Sequence, residues 1–403
     1  MRISSSQMYG QITGSLLKQE AAYARVVEQL STGRRLLSPA DDPLAASQAI
    51  GVAHNDAVNT AFANNRETAS RNLNLQEAAL GHSVTTMQSV LTRLVQVGNG
   101  TLSDADRLTL GSELTAMRDA LVGLGNSTDG NGQYLFSGYD SSNAPFGAQG
   151  QYQIVRDGNA ATQMQVSEAR VMTTGDLGSD VFRRANPGST GFIVSADIQS
   201  GSTATFGTVH QSNTAAQPAS RQVRFVQQDG QLHYAVTVQG RTTAPQVYVP
   251  GEPLALGDGM ELTIQGEPQT GDTFSVARAS EPGVVDLFGA LNGLIDTLAR
   301  DQGTDPSAHA ELANVLATTT QIVKNSYDNV LTVRASVGAR LQELDSLDAV
   351  GTVKQLSNAK ALSGLEDADV IATYSEALQR QTALNAAAMA FQAIQGLNLF
   401  SQK

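Results

Sequence analysis

Along the first thirty positions apolar residues recur at alternating steps of four and three: Ile12, Leu16, Tyr23, Val26 and Leu30, with Gln19 as the one polar member. This rhythm is a heptad seam and predicts a helix that lies along another helix. Gly33 follows as a helix stop. The same rhythm returns at Leu80, Val84, Met87, Leu91 and Leu94 and breaks at "GNGTLSDAD". There Ser103 takes the capping position of a further helix, with Asp104 and Asp106 in its first turn, where negative charge is favoured. Leu110, Leu114, Met117, Leu121 and Leu124 form the seam of that helix.

Near residue 133 the period falls to two, and Gly, Thr, Ser and Pro become frequent. In "RQVRFVQQDGQLHYAVTVQG", Val223 and Phe225 alternate with polar neighbours on one arm. Leu232, Tyr234, Val236 and Val238 do so on the other. Asp229-Gly230 lies between them, a pair that tolerates the positive φ angles of a tight hairpin. "PLALGDGMELTIQG" reads as a second hairpin around Asp258-Gly259, and "GDTFSVAR" as another strand. These features predict an antiparallel sandwich or barrel-like module.

Helical periodicity resumes at about 282 with Leu287, Leu291, Leu294 and Leu298. Leu316, Val323, Val330, Val337 and Leu344 then recur at intervals of seven. Thr319, Ser326, Val333, Arg340 and Leu347 hold the complementary seam position. Small, polar and basic groups there weaken a free two-helix seam and predict further helices that satisfy them. A Gly- and Ser-containing break is expected at 351–364, and a last helix from about Asp367. That helix carries Ile371, Tyr374, Leu378, Gln381, Leu384, Ala388, Phe391 and Ile394 at threes and fours.

The order helices, β segment, helices gives the expected architecture. It is an α+β chain: a long antiparallel helical rod, a coiled-coil-like bundle, built from both chain ends, with an inserted antiparallel β-rich domain. The expected divisions are terminal helices at 1–35 and 365–403, rod helices at 36–140 and 280–364, and the β-rich domain at 141–279.

Charge and composition narrow the function classes. The 403 residues carry a net charge of -12, with a pI near 4.8. Phosphate contacts need clustered Lys and Arg, so no nucleic-acid partner is expected. Aromatic residues make up 5% and Trp is absent, which suits long helices side by side better than a dense globule. The absence of Cys excludes disulfides and thiolate chemistry. No run approaches the ~20 apolar residues of a membrane span, and the first residues lack the apolar stretch of a cleaved secretion signal.

Chemistry-bearing motifs are sparse. The five His, residues 54, 82, 210, 233 and 309, show no zinc-helix spacing. Neither a phosphate-binding loop nor a nucleophile elbow occurs. No catalytic, cofactor or metal residue is assigned, and none of these groups is expected. An enzyme on this scaffold would need a convergent His, Asp or Glu pocket in the β-rich domain. Asp41-Asp42 reads as a helix start, with Asp42 as the N-cap before Pro43. Ser38 and Asp41 have capping-box spacing one step earlier. Arg34 and Arg35 are within reach of both aspartates if the turn is tight.

Several stretches together resemble the flagellin superfamily, and within it the hook-associated proteins of the hook–filament junction. They are "MRISSSQMY", "LSTGRRLLSPADDPLAASQAI", "NGQYLFSGYDSSNAPF", "RASVGARLQELDSL" and "QGLNLF". The likeness covers roughly 1–145 and 280–403, and extends into the β-rich domain only at "GEPQTGDTFSVA". It implies a structural subunit without enzymatic activity, exported by the flagellar type III apparatus without a cleaved signal. It implies an extracellular ring of copies joined to hook-associated protein 1 on one side and flagellin on the other. The alternative within the superfamily is flagellin itself, the filament subunit. The resemblance places the terminal helices at the inner wall and Arg34, Arg35, Asp41 and Asp42 between stacked copies. Ile12, Leu16, Tyr23, Leu30, Leu378, Leu384, Phe391 and Ile394 become assembly residues. The last four also become the face for an export chaperone.

Overall fold

The computed structural model describes residues 5–153, 160–212, 219–301 and 303–399, with the backbone alone at 5, 6, 8, 9 and 394–399. The helices are α1 (Ser5–Thr32), α2 (Pro43–Val97), α3 (Asp104–Gly125), α4 (Gly178–Phe182), α5 (Leu287–Leu298), α6 (Pro306–Glu366) and α7 (Val370–Leu399). The strands are β1 (Gln163–Ser167), β2 (Arg170–Thr173), β3 (Phe192–Asp197), β4 (Thr205–Gln211), β5 (Arg221–Gln228), β6 (Gln231–Val238), β7 (Arg241–Thr242), β8 (Gln246–Val247), β9 (Leu254–Gly257), β10 (Met260–Gln265) and β11 (Thr273–Arg278). Two compact units divide the chain: residues 1–64 with 346–403, and residues 65–345.

In the first unit α1 packs against α7. The end of one meets the start of the other, since the Ala368 N–H donates to the Gly33 carbonyl at 2.8 Å, so the pair is antiparallel. The unit's segments of α2 and α6 are tied where Asn59 Nδ2 donates to the Gly351 carbonyl at 2.9 Å and Asn358 Nδ2 to Asp56 at 3.4 Å. The break expected at 351–364 does not occur, because α6 runs unbroken through both glycines to Glu366. An interior glycine costs a helix only about 1 kcal/mol relative to alanine. Gly351 is buried, and packing with the Asn59 bond to its carbonyl holds the helix there although the flanking Val350, Thr352 and Val353 are weak helix formers.

The second unit holds the strongest seams. Ala69, Leu73, Gln76, Leu80, Ser83, Met87, Val90, Leu94 and Val97 are buried at threes and fours along α2. Val90, not Leu91, continues this seam, and Leu91 is only half-buried. On α6, Val323, Val330, Val337 and Leu344 are buried at intervals of seven. Arg334 Nε pairs with Glu77 at 2.6 Å, and Gln88 Nε2 donates to the Tyr327 hydroxyl at 2.9 Å, which sets the helices antiparallel. Beside them α3 packs on α5 through buried Leu110, Leu114, Leu121, Leu291 and Leu294. Ser103 and Asp106 close a full capping box at the start of α3.

Thr319 and Arg340 at the second seam position find partners within the chain, on helices and on the β-rich segment. Thr319 Oγ1 donates to the Ala290 carbonyl of α5 at 3.2 Å. Arg340 donates to the Thr173 carbonyl at 3.0 Å and to Asp176 at 2.5 Å. The Ser326 hydroxyl is buried with no partner.

The β strands form a small β1-β2 ribbon and two larger antiparallel sheets, β4-β10-β9 and β3-β11-β5-β6-β7, with β8 on β6. The larger sheets share one core, including Val194, Phe206, Phe225, Leu262, Ile264 and Phe274. This is the sandwich outcome. Both expected hairpins form, with Asp229 and Asp258 at positive φ. The turn at Gln239-Gly240 has the same backbone and joins β6 to β7.

A polar stripe on α6 fastens the β-rich segment. Buried Asn314 accepts from the Phe206 N–H at 3.1 Å and donates to the Ala204 carbonyl at 2.8 Å. Thr318 donates to the Val194 carbonyl, and Gln321 accepts from the Val194 N–H. Asn329 Nδ2 donates to the carbonyls of Asp180 and Val181. Nearby, edge-on rings of Phe136, Phe146 and Phe182 build a small aromatic core with Phe288. Gly150, at φ 82°, lies so close to Phe288 that a Cβ there would stand 2.3 Å from its ring. The "NGQYLFSGYDSSNAPF" stretch thus packs on α4 and α5 through Phe136 and Phe146.

Candidate assembly site

Gly33 turns the chain out of α1 in the left-handed region, at φ 67°. The Arg34 guanidinium then lies 3.2 Å from Glu366, and its backbone bridges to Asp367. Arg35 donates in three contacts: its N–H reaches the Glu366 carbonyl at 2.7 Å, and its guanidinium the Leu365 carbonyl at 2.6 Å and Asp42 at 3.4 Å. Asp41 accepts from the N–H groups of Leu37 and Ser38 at 2.9 and 3.0 Å and pairs with Arg25. Asp42 caps α2 through the Ala45 N–H at 3.0 Å. The hydrogen bond from the Ser38 backbone, joined by Leu37 and Arg25, holds the Asp41 carboxyl below its ordinary value. For Asp42 the Ala45 bond, then Arg35, does the same.

These contacts fasten the turn between α1 and α2 to the turn between α6 and α7. The expectation set Arg34, Arg35, Asp41 and Asp42 between copies; the structure engages all four within the chain. Of the expected ion pairs, Arg35–Asp42 forms, while Arg34 faces Glu366 and Asp41 faces Arg25. The partners at 365–368 were not foreseen, because no periodicity links residues some 330 positions apart.

The two helices of the hairpin each carry two apolar faces. On α1, Ile12, Leu16, Gln19, Tyr23 and Leu30 are half-buried and Val26 is buried, as a seam against α7 requires. Leu17, Ala21, Ala24 and Val27 are exposed on the other side. On α7 the inward positions are Thr373, Ala377, Arg380, Leu384, Ala387 and Phe391, at fours and threes. Ile371, Tyr374, Leu378 and Met389 are exposed, Ile371 by 84%. The single α7 face expected from Leu378, Leu384, Phe391 and Ile394 therefore divides. Leu384 and Phe391 face inward, Leu378 faces outward, and the Ile394 side chain lies outside the described residues. A pattern with steps of three and four can be started on either stripe, so the sequence did not separate them.

The acidic groups beside α4 are taken up by ion pairs. A groove of about 440 Å³ beside α4 is lined by Asp176, Asp180, Arg184, Glu281 and Asn329. Asp176 pairs there with Arg340 and Asp180 with Arg184, so these carboxylates hold the fold. Among the described residues, no group of three or more His, Cys, Asp or Glu could hold a metal ion. Among them, too, no helix is long and apolar enough to cross a membrane.

Two long terminal helical regions around a β-rich insertion, with outward apolar stripes on the terminal hairpin, define a flagellin-type structural protein. Residues 3–141 match the bacterial flagellin N-terminal helical region. The flagellar hook-associated protein 3 of Escherichia coli (strain K12) is 31% identical over 99% of both chains. Its namesake from Salmonella typhimurium is 30% identical over 99% of both. The crystal structure of Xanthomonas campestris FlgL superposes with a TM-score of 0.62 at 27% identity, over 76% of this chain and 98% of that one. The chain belongs to the flagellar hook-associated protein 3 family. Both curated relatives are hook-associated proteins, which decides between the junction reading and the filament-subunit reading.

Proposed function

We propose that the chain is a junction subunit whose copies assemble through the outward stripes of α1 and α7, between hook-associated protein 1 and flagellin. The observation that carries this reading is the pair of apolar faces on each helix of the terminal hairpin. One face of each helix is occupied within the chain. The other exposes Leu17 and Val27 on α1, and Ile371, Tyr374, Leu378 and Met389 on α7. A water-facing helix carries one such stripe; the second has a use only when another helix covers it. Each large apolar side chain so covered stabilises the contact by roughly 1.5–3 kcal/mol.

The clasp of Arg34, Arg35, Asp41 and Asp42 holds the hairpin's base in shape for that contact. The same four groups lie near the surface, where a stacked copy could share them. The protein acts as a structural part and carries no catalytic role. It leaves the cell through the type III export apparatus without a cleaved signal and works outside, on the flagellum. An export chaperone would take α7 before assembly. Leu378 serves that contact directly, whereas Leu384 and Phe391 become available only if α1 is displaced.

Deleting the gene tests the reading. Cells should build hooks, lack filaments and release flagellin into the medium, and the full chain should restore filaments. Normal filaments on the deleted cells would overturn it.

A further inference from the structure

Met389 differs from the other methionines whose side chains are described. Met87, Met172 and Met260 are buried, Met117 and Met164 half-buried, and Met389 is 64% exposed. It stands about five turns after Ile371 on the same helix, at 3.6 residues per turn, and so on the same outward stripe. That stripe is otherwise lined by Ile371, Tyr374 and Leu378. A thioether in such a place is soft, flexible and open to reagents in water.

We propose that Met389 is an oxidation site at which a peroxide controls addition of new copies. The inference rests on the assembly reading of the outward stripe. The sulfur lone pair attacks one peroxide oxygen, an S–O bond forms and the O–O bond breaks. Two electrons pass from sulfur to the peroxide, and its second oxygen leaves as water. The product is a sulfoxide, polar and chiral, at the far end of the outward stripe, beyond Thr382 and Asn385. A copy already assembled has this face covered and is protected, so the reaction selects free subunits. The change is reversible, because methionine sulfoxide is a substrate for reductases.

The test uses the purified full chain and hooks isolated from cells lacking the gene. The chain is treated with hydrogen peroxide, oxidation is mapped at each methionine by mass spectrometry, and binding to hook tips is titrated. Met389 should oxidise ahead of Met87, Met172 and Met260, and half-saturation should then need roughly tenfold more protein, as expected when one apolar contact is lost. Met389→Leu should bind like untreated wild type and keep that affinity after peroxide. A sulfoxide reductase should restore the oxidised wild type. Wild type that is oxidised at Met389 yet binds unchanged would overturn the proposal. So would Met389→Leu losing binding equally on treatment, since another methionine would then be responsible. Failure of untreated wild type to bind any hook tip would instead overturn the junction reading itself.

Discussion

Replacing Arg340 by Ala separates a brace within the chain from a contact between copies. Arg340 lies at a seam position of α6, and its guanidinium reaches the Thr173 carbonyl at 3.0 Å and Asp176 at 2.5 Å. The side chains of Arg340 and Asp176 are 12% and 22% exposed, so the pair is mostly out of water. Removing one partner of a buried pair costs about 3–5 kcal/mol, because the other charge is left without compensation. Residual water at Asp176 screens part of this, which brings the expected loss to about 2–4 kcal/mol. For a unit of this size that lowers the melting temperature by about 5–10 °C. Arg340→Lys keeps the charge but not the two-way reach, and should fall between. Calorimetry on the full chain, at a concentration where sedimentation shows a monomer, reads the effect. A Arg340→Ala chain melting within about 1 °C of wild type would refute the brace.

Asn314→Ala strands the Phe206 N–H and the Ala204 carbonyl in the core; it should cost about 2–5 kcal/mol in urea unfolding, and a loss below about 1 kcal/mol would contradict the α6 polar stripe. The carboxyls of Asp41, Asp42 and Asp106 titrate below their ordinary value of 3.8, so their contribution is present above that value and is lost as pH falls below it. Hydrogen exchange at residues 33–45 should therefore be flat at neutral pH and quicken on acidification relative to the chemical rate, and Asp41→Asn should flatten this dependence; loosening on going from neutral to alkaline pH would speak against the clasp. Leu384→Asp should loosen the α1–α7 hairpin and speed amide exchange on α1, whereas Leu378→Asp should leave exchange unchanged and abolish filament growth in cells. The two variants behaving alike would remove the division of α7 into two faces.

The seams show how far patterning reaches. Residues at intervals of seven on α6 and the hairpin turns at Asp229 and Asp258 were legible because each rests on local geometry. Gly351 misled, since a single glycine is too weak a breaker to end a helix held by its neighbours. The Asn314, Thr318, Gln321 and Asn329 stripe was missed although its spacing is helical. Amides at such steps look like a solvated face unless their backbone partners are known. The clasp of Arg35 on Leu365 had no local signal at all. Arg34, Arg35, Asp41 and Asp42 were recognisable as a functional stretch only through family resemblance, and their partners only through the fold.

The central claim is that the outward stripes of α1 and α7 join the chain to its neighbours at the junction. The most direct measurement is cryo-electron imaging of hook tips from deleted cells supplied with wild type, with Ile371→Glu, or with Leu378→Asp. The account predicts an added ring bearing a filament with wild type, and bare hook tips with either variant although the purified variants melt like wild type. Rings and filaments formed normally by both variants would contradict it.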